Sequence, residues 1–96
     1  MPRIIWQAAA LEDVDRLLGF LTPTNPDAAR RAAQAIARAV VVLADMPDIG
    51  RLMDAATGRR ELAVPFAASA YVLRYRRDGA GSVVIIRVWH GREDRR

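Results

Sequence analysis

Two helical patterns separated by only four residues constrain this fold more than any other feature of the sequence. The first pattern is an apolar stripe with helical spacing, formed by Leu11, Val14, Leu17, Leu18 and Leu21. In the following segment TPTNPDAARR, Asn25 is a typical helix cap and Pro26 suits a first helical position. A second stripe, Ala29, Ala32, Ala33, Ile36, Val40 and Leu43, ends before Pro47. The short connection predicts an antiparallel helical hairpin.

Three acids come early in the first helical pattern. Glu12, Asp13 and Asp15 fall on the face opposite the leucines. Negative charge in the early turns also complements the positive end of the helix dipole. The pattern therefore predicts that these acids lie on the polar face and stabilise the start of the helix.

Strand patterns occur on both sides of the helical hairpin. The segment PRIIW at 2–6 predicts a short strand, and further strands are predicted at 60–64, 70–77 and 82–89, with RDGAG as the last turn. Residues 46–60, MPDIGRLMDAATGRR, have neither period and are predicted to form a loop. The segment VVIIRVW is apolar on both faces, which indicates a central strand.

The order of these elements is β-α-α-β-β-β. It predicts an α+β fold in which the helical hairpin packs on a mostly antiparallel β-sheet. A chain of 96 residues fits one domain with one modest core, so residues 1–96 are predicted to form a single domain. The longest stretch without charge, residues 62–73, contains Pro65, so no membrane span is predicted. Without the pattern of a signal peptide, we expect a cytoplasmic protein.

The composition excludes several kinds of chemistry. The chain has no cysteine, which rules out disulfides and thiolate nucleophiles, and a single histidine argues against a zinc site. All 15 basic residues are arginine, so no lysine is present to form a Schiff base. We expect neither a metal ion nor a cofactor.

Positive charge is concentrated in the C-terminal part of the chain. Residues 1–58 contain six arginines and seven acids, whereas residues 59–96 contain nine arginines and four acids. This asymmetry predicts a polyanion or an acidic protein as partner. Five arginines of neighbouring predicted strands are expected to converge on one sheet face: Arg60, Arg74, Arg76, Arg77 and Arg87. The alternative is a solubilising face whose arginines pair with Glu61, Asp78, Glu93 and Asp94.

The residues after the last predicted strand allow more than one role. His90 is a candidate general base, with Arg87 or Arg92 holding a phosphate. The alternative for His90 is a local hydrogen bond. Trp89 is either a core aromatic or an interface anchor, and the mixed charges of residues 92–96 are typical of a solvated terminus.

Four segments closely resemble the RelE/ParE superfamily of toxins from bacterial toxin–antitoxin pairs. They are MPDIGR, RRELAV, YVLRYRRDG and, most specifically, VVIIRVWHGRED, which is typical of the ParE-like branch. The resemblance implies a ParD-like antitoxin that binds the toxin in a hetero-oligomer, with operator DNA contacted only through the antitoxin. It also implies inhibition of DNA gyrase by binding, without a catalytic residue. The implied contact residues for gyrase or antitoxin are Arg60, Arg74, Arg76, Arg87, Trp89, His90 and Arg92.

The RelE-like branch implies a different activity, ribosome-dependent cleavage of messenger RNA. Its matching positions here would be Arg60, Arg87 and His90. The sequence departs from that branch because it has no lysine and no tyrosine after Tyr75. A third possibility is an interaction module of the same fold that is not toxic.

Overall fold

A computed structural model describes residues 3–94 of the chain. Within that range the elements are β1 (Ile4–Trp6), α1 (Ala8–Leu21), α2 (Pro26–Asp45), β2 (Arg51–Asp54), β3 (Arg59–Phe66), β4 (Ser69–Arg77) and β5 (Val83–His90). The strands form one sheet in the order β1-β5-β4-β3-β2, in which β1 and β5 are parallel and the other pairs antiparallel. The predicted α+β fold is confirmed, and β5 is internal as its two apolar faces indicated. Pro2, at the start of the predicted first strand, lies outside the described residues.

The helical hairpin forms as the sequence predicts. The Asn25 side chain accepts a hydrogen bond from the Ala28 N–H at 3.0 Å, and α2 ends at Asp45, before Pro47. Both helices pack on one face of the sheet, around Leu43, Leu73 and Tyr75. We call this side of the sheet the helix face and the other side the outer face.

The start of α1 differs from the prediction. The helix begins at Ala8, so its first turn contains no acid. Its buried face is formed by Ala10, Asp13 and Leu17, whereas Leu11 is 53% exposed. Val14, Leu18 and Leu21 of the predicted stripe do pack against the core, but the buried face extends to Asp13, which is therefore not on the polar face. The predicted dipole role of the acids was therefore wrong.

The predicted loop at 46–60 contains a strand, β2, and this prediction was also wrong. All four residues of β2 are exposed, because β3 pairs with one edge and no described element covers either face. A strand that buries neither face leaves no alternation in the sequence. A bulge at Met53 separates Leu52, which pairs with Arg60, from Asp54, which pairs with Arg59.

Gly50 joins the end of the helical hairpin to the sheet. Its N–H donates to the hydroxyl oxygen of buried Tyr75 at 2.8 Å. A Cβ at this position would lie 2.6 Å from that oxygen and 3.0 Å from the Glu61 carbonyl oxygen. The chain can approach Tyr75 this closely only because residue 50 is glycine.

Each of the three hairpin turns of the sheet contains a residue with positive φ, which in the β2–β3 turn is Gly58 at 71°. In the predicted RDGAG turn, which is confirmed, Asp78 N–H donates to the Ser82 carbonyl and Gly81 has φ of 84°. The β3–β4 turn is tighter and places Ala67 at φ of 53°. A left-handed alanine is strained, since glycine or asparagine normally occupies such a position.

Candidate functional site

A row of charged residues crosses the outer face of the sheet. Arg51 on β2 lies opposite Glu61 on β3, Glu61 opposite Arg74 on β4, and Arg74 opposite Arg87 on β5. The helices cover only the other face of the sheet. Three arginines and one acid give the row a net positive charge, and Arg76 adds to it two residues further along β4.

Trp89 is buried on this outer face although no helix covers it. It lies opposite Val72 and is only 5% exposed. The guanidinium carbons of Arg74 and Arg87 lie 4.7 and 5.1 Å from the centroid of its ring. Such distances allow cation–π attraction, and the aliphatic parts of the arginine side chains shield the indole from water. The arginines thus form an ordered basic surface over the Trp89 ring.

Two of these arginines are fixed by buried acids. Arg74 donates two hydrogen bonds to Glu61 Oε2, at 3.1 and 2.8 Å. Arg87 donates from Nε to Asp13 Oδ2 at 2.6 Å and from Nη2 to Asp13 Oδ1 at 3.0 Å. Arg76, in contrast, forms no ion pair with any residue in the range 3–94. The outer face therefore combines oriented guanidinium groups with one whose charge no described acid neutralises.

Asp13 also connects α1 to the backbone of β5. β1 pairs with β5 only as far as Ile85, and beyond it the Val88 N–H donates to Asp13 Oδ2 at 2.9 Å. Burial raises the pKa of the Asp13 carboxyl, but the hydrogen bonds from Arg87 and Val88 and the positive charge of Arg87 outweigh it. The net effect is a pKa below the ordinary 3.8. Asp13 is therefore ionised and holds Arg87 in place.

A second surface is an open groove at one end of the molecule, which we call the end groove. It has a volume of about 630 Å³ and lies between the end of α1, the β3–β4 turn and the end of β5. Its apolar lining comes from Leu17, Phe20, Leu21, Phe66 and Tyr71, and its polar lining includes Arg16, His90, Arg92 and Glu93. Phe20 is 82% exposed, which is unusual for a phenylalanine.

An ion pair closes one side of the end groove. Arg16 Nη1 donates to Glu93 Oε1 at 2.8 Å. This hydrogen bond is the main reason why the pKa of Glu93 lies below its ordinary 4.5, and burial opposes it only in part. The segment after β5 is thereby attached to α1.

His90 faces the end groove and its ring is oriented by two contacts. Its Nδ1 accepts a hydrogen bond from the Arg92 N–H at 3.2 Å, and its ring meets Tyr71 edge to face at a centroid distance of 5.8 Å. Because Nδ1 is an acceptor, this hydrogen bond places the proton of the neutral imidazole on Nε2. A general base needs a free nitrogen lone pair, and neither nitrogen provides one in this arrangement.

The structure divides the predicted site residues between separate places. Arg74, Arg76, Arg87 and Trp89 share the outer face, whereas His90 and Arg92 line the end groove.

Arg60 belongs to neither surface. It lies opposite Tyr75, on the helix face, where its Nη1 donates to the carbonyl oxygens of Asp48 and Gly50. Arg77 lies on the same side, with its Nη1 3.9 Å from Asp48 Oδ1. The predicted convergence of five arginines on one face was wrong for Arg60 and Arg77, because neighbouring strand residues point to opposite faces.

Asp13 and Phe20 were not identified from the sequence. An acid in an amphipathic pattern looks the same whether it faces water or a strand edge. An aromatic near a helix end likewise gives no signal of exposure. Within residues 3–94 no cluster of histidine and acids is arranged to hold a metal ion, and no helix is long and apolar enough to cross a bilayer.

A chain with these two surfaces and the β-α-α-β-β-β order also matches a known family. Residues 4–95 match the family described as the ParE toxin of the type II toxin–antitoxin system parDE. The chain belongs to the ParE toxin family. This toxin of a type II system therefore has an antitoxin as its partner.

Curated relatives and a solved structure agree with this family. The toxin is 38% identical to "Toxin RelE1" of Caulobacter vibrioides over 92 residues, with 96% of each chain covered. It is 34% identical to "Toxin RelE2" of the same organism over 90 residues, which cover 94% of this chain and 96% of the relative. A solved structure described as "Chromosomal ParDE TA system from P. aeruginosa" has the same fold, with a TM-score of 0.74, 22% identity and 94% and 96% coverage.

Proposed function

We propose that this single-domain toxin acts in the cytoplasm by binding DNA gyrase and that a ParD-like antitoxin neutralises it in a hetero-oligomer. Operator DNA is then contacted only through the antitoxin. The observation that carries the proposal is the basic outer face, where Arg74 and Arg87 are ordered over Trp89 and Arg76 keeps a charge that no described acid neutralises. Ordered cations around an aromatic residue are typical of surfaces that bind an acidic macromolecule.

The end groove supports a second and different contact. Its apolar lining and the exposed Phe20 fit an apolar segment of a partner rather than a charged surface. A disordered antitoxin segment that folds on binding gains free energy by covering such a groove. We therefore assign the end groove to the antitoxin and the outer face to the target.

A ribosome-dependent ribonuclease is the second candidate, because both curated relatives carry the name RelE. Its candidate residues are Arg60, Arg87 and His90. Three features weigh against it. Arg60 lies on the helix face, Arg87 is bound to Asp13, and neither nitrogen of the His90 ring has a free lone pair. Binding without catalysis agrees better with this arrangement.

Induction of the toxin alone in a bacterial host separates the two candidates. The proposal expects growth arrest, gyrase-linked DNA breaks and intact messages. Cleaved messages without DNA breaks would replace gyrase inhibition with the ribonuclease. Absence of any arrest would instead favour a non-toxic interaction module.

Charge reversal tests the role of the outer face in a purified system. We expect Arg76→Glu to weaken inhibition of gyrase supercoiling about tenfold, and the wild-type effect to decline with added salt. Arg38→Glu is the matched control, because Arg38 is exposed on α2 and, like Arg76, forms no ion pair with a described residue. Equal effects of both changes would move the target contact away from the outer face.

A second pair of variants tests the end groove. Phe20→Ser should weaken antitoxin binding about tenfold and leave gyrase inhibition intact, since the groove loses its most exposed apolar side chain. Leu11→Ser removes an exposed apolar residue of the same helix outside the groove and should change neither. Loss of gyrase inhibition in Phe20→Ser would contradict the assignment of the two surfaces.

A further inference from the structure

β2 is a free sheet edge that carries charge only at its ends, at Arg51 and Asp54. β3 occupies one of its edges, and the other faces solvent in the described part of the chain. Its two central residues are apolar and exposed, Leu52 by 47% and Met53 by 41%. Proteins usually protect such an edge with charge, proline or a covering element, because an open edge can pair with another strand.

The exposed apolar surface continues from this edge onto the helical hairpin. Backbone hydrogen bonds connect Met46 to Val42 and Ile49 to Met46, and these residues lead directly to β2. Together, Val42, Met46, Ile49, Leu52 and Met53 form what we call the β2 patch, and all five are exposed. None of them lines the end groove or belongs to the outer-face row. Exposed apolar residues grouped in this way along the chain indicate a protein interface that the proposed function does not use.

We propose that β2 pairs antiparallel with β2 of a second copy of this chain. The two five-stranded sheets then join into one continuous sheet about a two-fold axis at Leu52. The argument rests on the bulge at Met53. Arg51, Leu52 and Asp54 pair in turn with the consecutive β3 residues Glu61, Arg60 and Arg59. Arg51 and Asp54 are therefore two register positions apart and lie on the same face of the strand.

This register makes the edge complementary to itself. With Leu52 opposite Leu52 of the second copy, Arg51 lies opposite Asp54 of that copy on the same face, and the reciprocal pair follows by symmetry. Without the bulge, Arg51 and Asp54 would lie on opposite faces and a two-fold axis would not match them. An apolar pair at the centre and two opposite-charge pairs beside it are favourable cross-strand combinations.

The side chains of both charged residues are suited to this pairing. The Asp54 carboxylate is oriented by the Ala56 N–H at 3.0 Å and the Thr57 hydroxyl at 3.1 Å, and a carboxylate can accept further hydrogen bonds. Arg51 is exposed and has no ion pair within residues 3–94. Because the two-fold axis is perpendicular to the sheet, the dimer would present both basic outer faces on one side.

Sedimentation equilibrium of the purified full chain, without antitoxin, tests the dimer over a range of concentrations. We expect a monomer–dimer equilibrium that Leu52→Glu weakens by about tenfold or more, because two carboxylates would meet on the axis. Leu11→Glu is the control, since Leu11 is a similarly exposed leucine on α1 and should leave the equilibrium unchanged. A wild-type chain that stays monomeric at all concentrations would overturn the proposal, and so would a dimer that tolerates Leu52→Glu.

A charge exchange tests the register itself and remains decisive if Leu52→Glu does not fold. Arg51→Asp alone should weaken the dimer about tenfold by placing like charges opposite each other. The double change Arg51→Asp with Asp54→Arg should restore it to within about threefold of wild type. Failure of the double change to restore the dimer overturns the register. If the wild type is monomeric and Leu52→Glu binds the antitoxin more weakly, the edge pairs with a strand of the antitoxin instead.

Discussion

The Val88 N–H on β5 donates to the Asp13 carboxylate on α1 at 2.9 Å, across 75 residues of sequence. The same carboxylate receives two hydrogen bonds from Arg87. It therefore accepts a backbone hydrogen bond of β5 at a position that β1 does not reach, and it also orients an arginine of the outer face. A single buried acid thus links the packing of the first helix to the geometry of the proposed target surface.

Removal of this carboxylate should be strongly destabilising. We expect Asp13→Ala to lower the free energy of unfolding by about 3 kcal/mol, because the buried Val88 N–H and the partly exposed Arg87 lose their acceptor. Asp15→Ala, an exposed acid of the same helix, should change it by less than about 0.5 kcal/mol. Urea denaturation monitored by circular dichroism measures both. Equal stability of the two variants would mean that water replaces the carboxylate at no cost.

The stability of the toxin should decrease in acid. The pKa values of Asp13 and Glu93 both lie below their ordinary values in the folded state. A depressed folded-state pKa contributes stability that is present above the unfolded-state pKa and is lost as the pH falls through the folded-state value. We therefore expect the urea midpoint to fall as the pH decreases from about 5 to about 2. Asp13→Asn should flatten this dependence; an unchanged pH profile would contradict the role of Asp13.

Two glycines should respond to alanine in opposite directions. Gly50→Ala should destabilise the protein by about 2 kcal/mol, because the new methyl group meets the buried Tyr75 hydroxyl. Gly19→Ala should stabilise it by about 1 kcal/mol, since Gly19 lies in α1 with open space around it. Thermal and urea unfolding of the two variants provide the comparison. A stable Gly50→Ala variant would show that Tyr75 can move.

The β3–β4 turn should be improved by a glycine. Ala67 has a positive φ that glycine adopts without strain, so we expect Ala67→Gly to stabilise the protein by about 0.5 kcal/mol after the larger chain entropy of glycine is included. Ala68→Gly relieves no such strain and should cost about 0.5 kcal/mol. The difference between the two midpoints in urea is the informative quantity. A loss of stability in Ala67→Gly would indicate that the methyl group packs favourably at the end groove.

The elements with strong periodicity could be predicted, and those without it could not. The capping residue Asn25, the alanine-rich stripe of α2 and the apolar β5 each carry a local signal that survives in the fold. β2 buries no face, so four exposed residues between two glycines looked like a loop. The early start of α1 has no side-chain cap to mark it, since Gln7 makes no capping hydrogen bond.

The candidate surfaces were only partly visible in the sequence for a related reason. Arg74 and Arg76 share one sheet face as predicted, because they are two residues apart on β4. The face of Arg60 depends on the register between β3 and β4, which is a property of two strands and not of one. The burial of Asp13 depends on where β1 stops covering β5, a tertiary relationship that no local pattern encodes.

The parallel pairing of β1 with β5 also has a consequence for the order of folding. β1 leaves the ribosome before every other strand, yet its only partner in the described sheet is the strand synthesised last. The helical hairpin and the β3–β4 hairpin can form from local contacts, but the sheet cannot be completed until β5 has emerged. Until β5 has been synthesised, the Asp13 carboxylate lacks its hydrogen-bond donors Arg87 and Val88. The basic surface over Trp89 requires β5 to be in place, because both Arg87 and Trp89 belong to that strand.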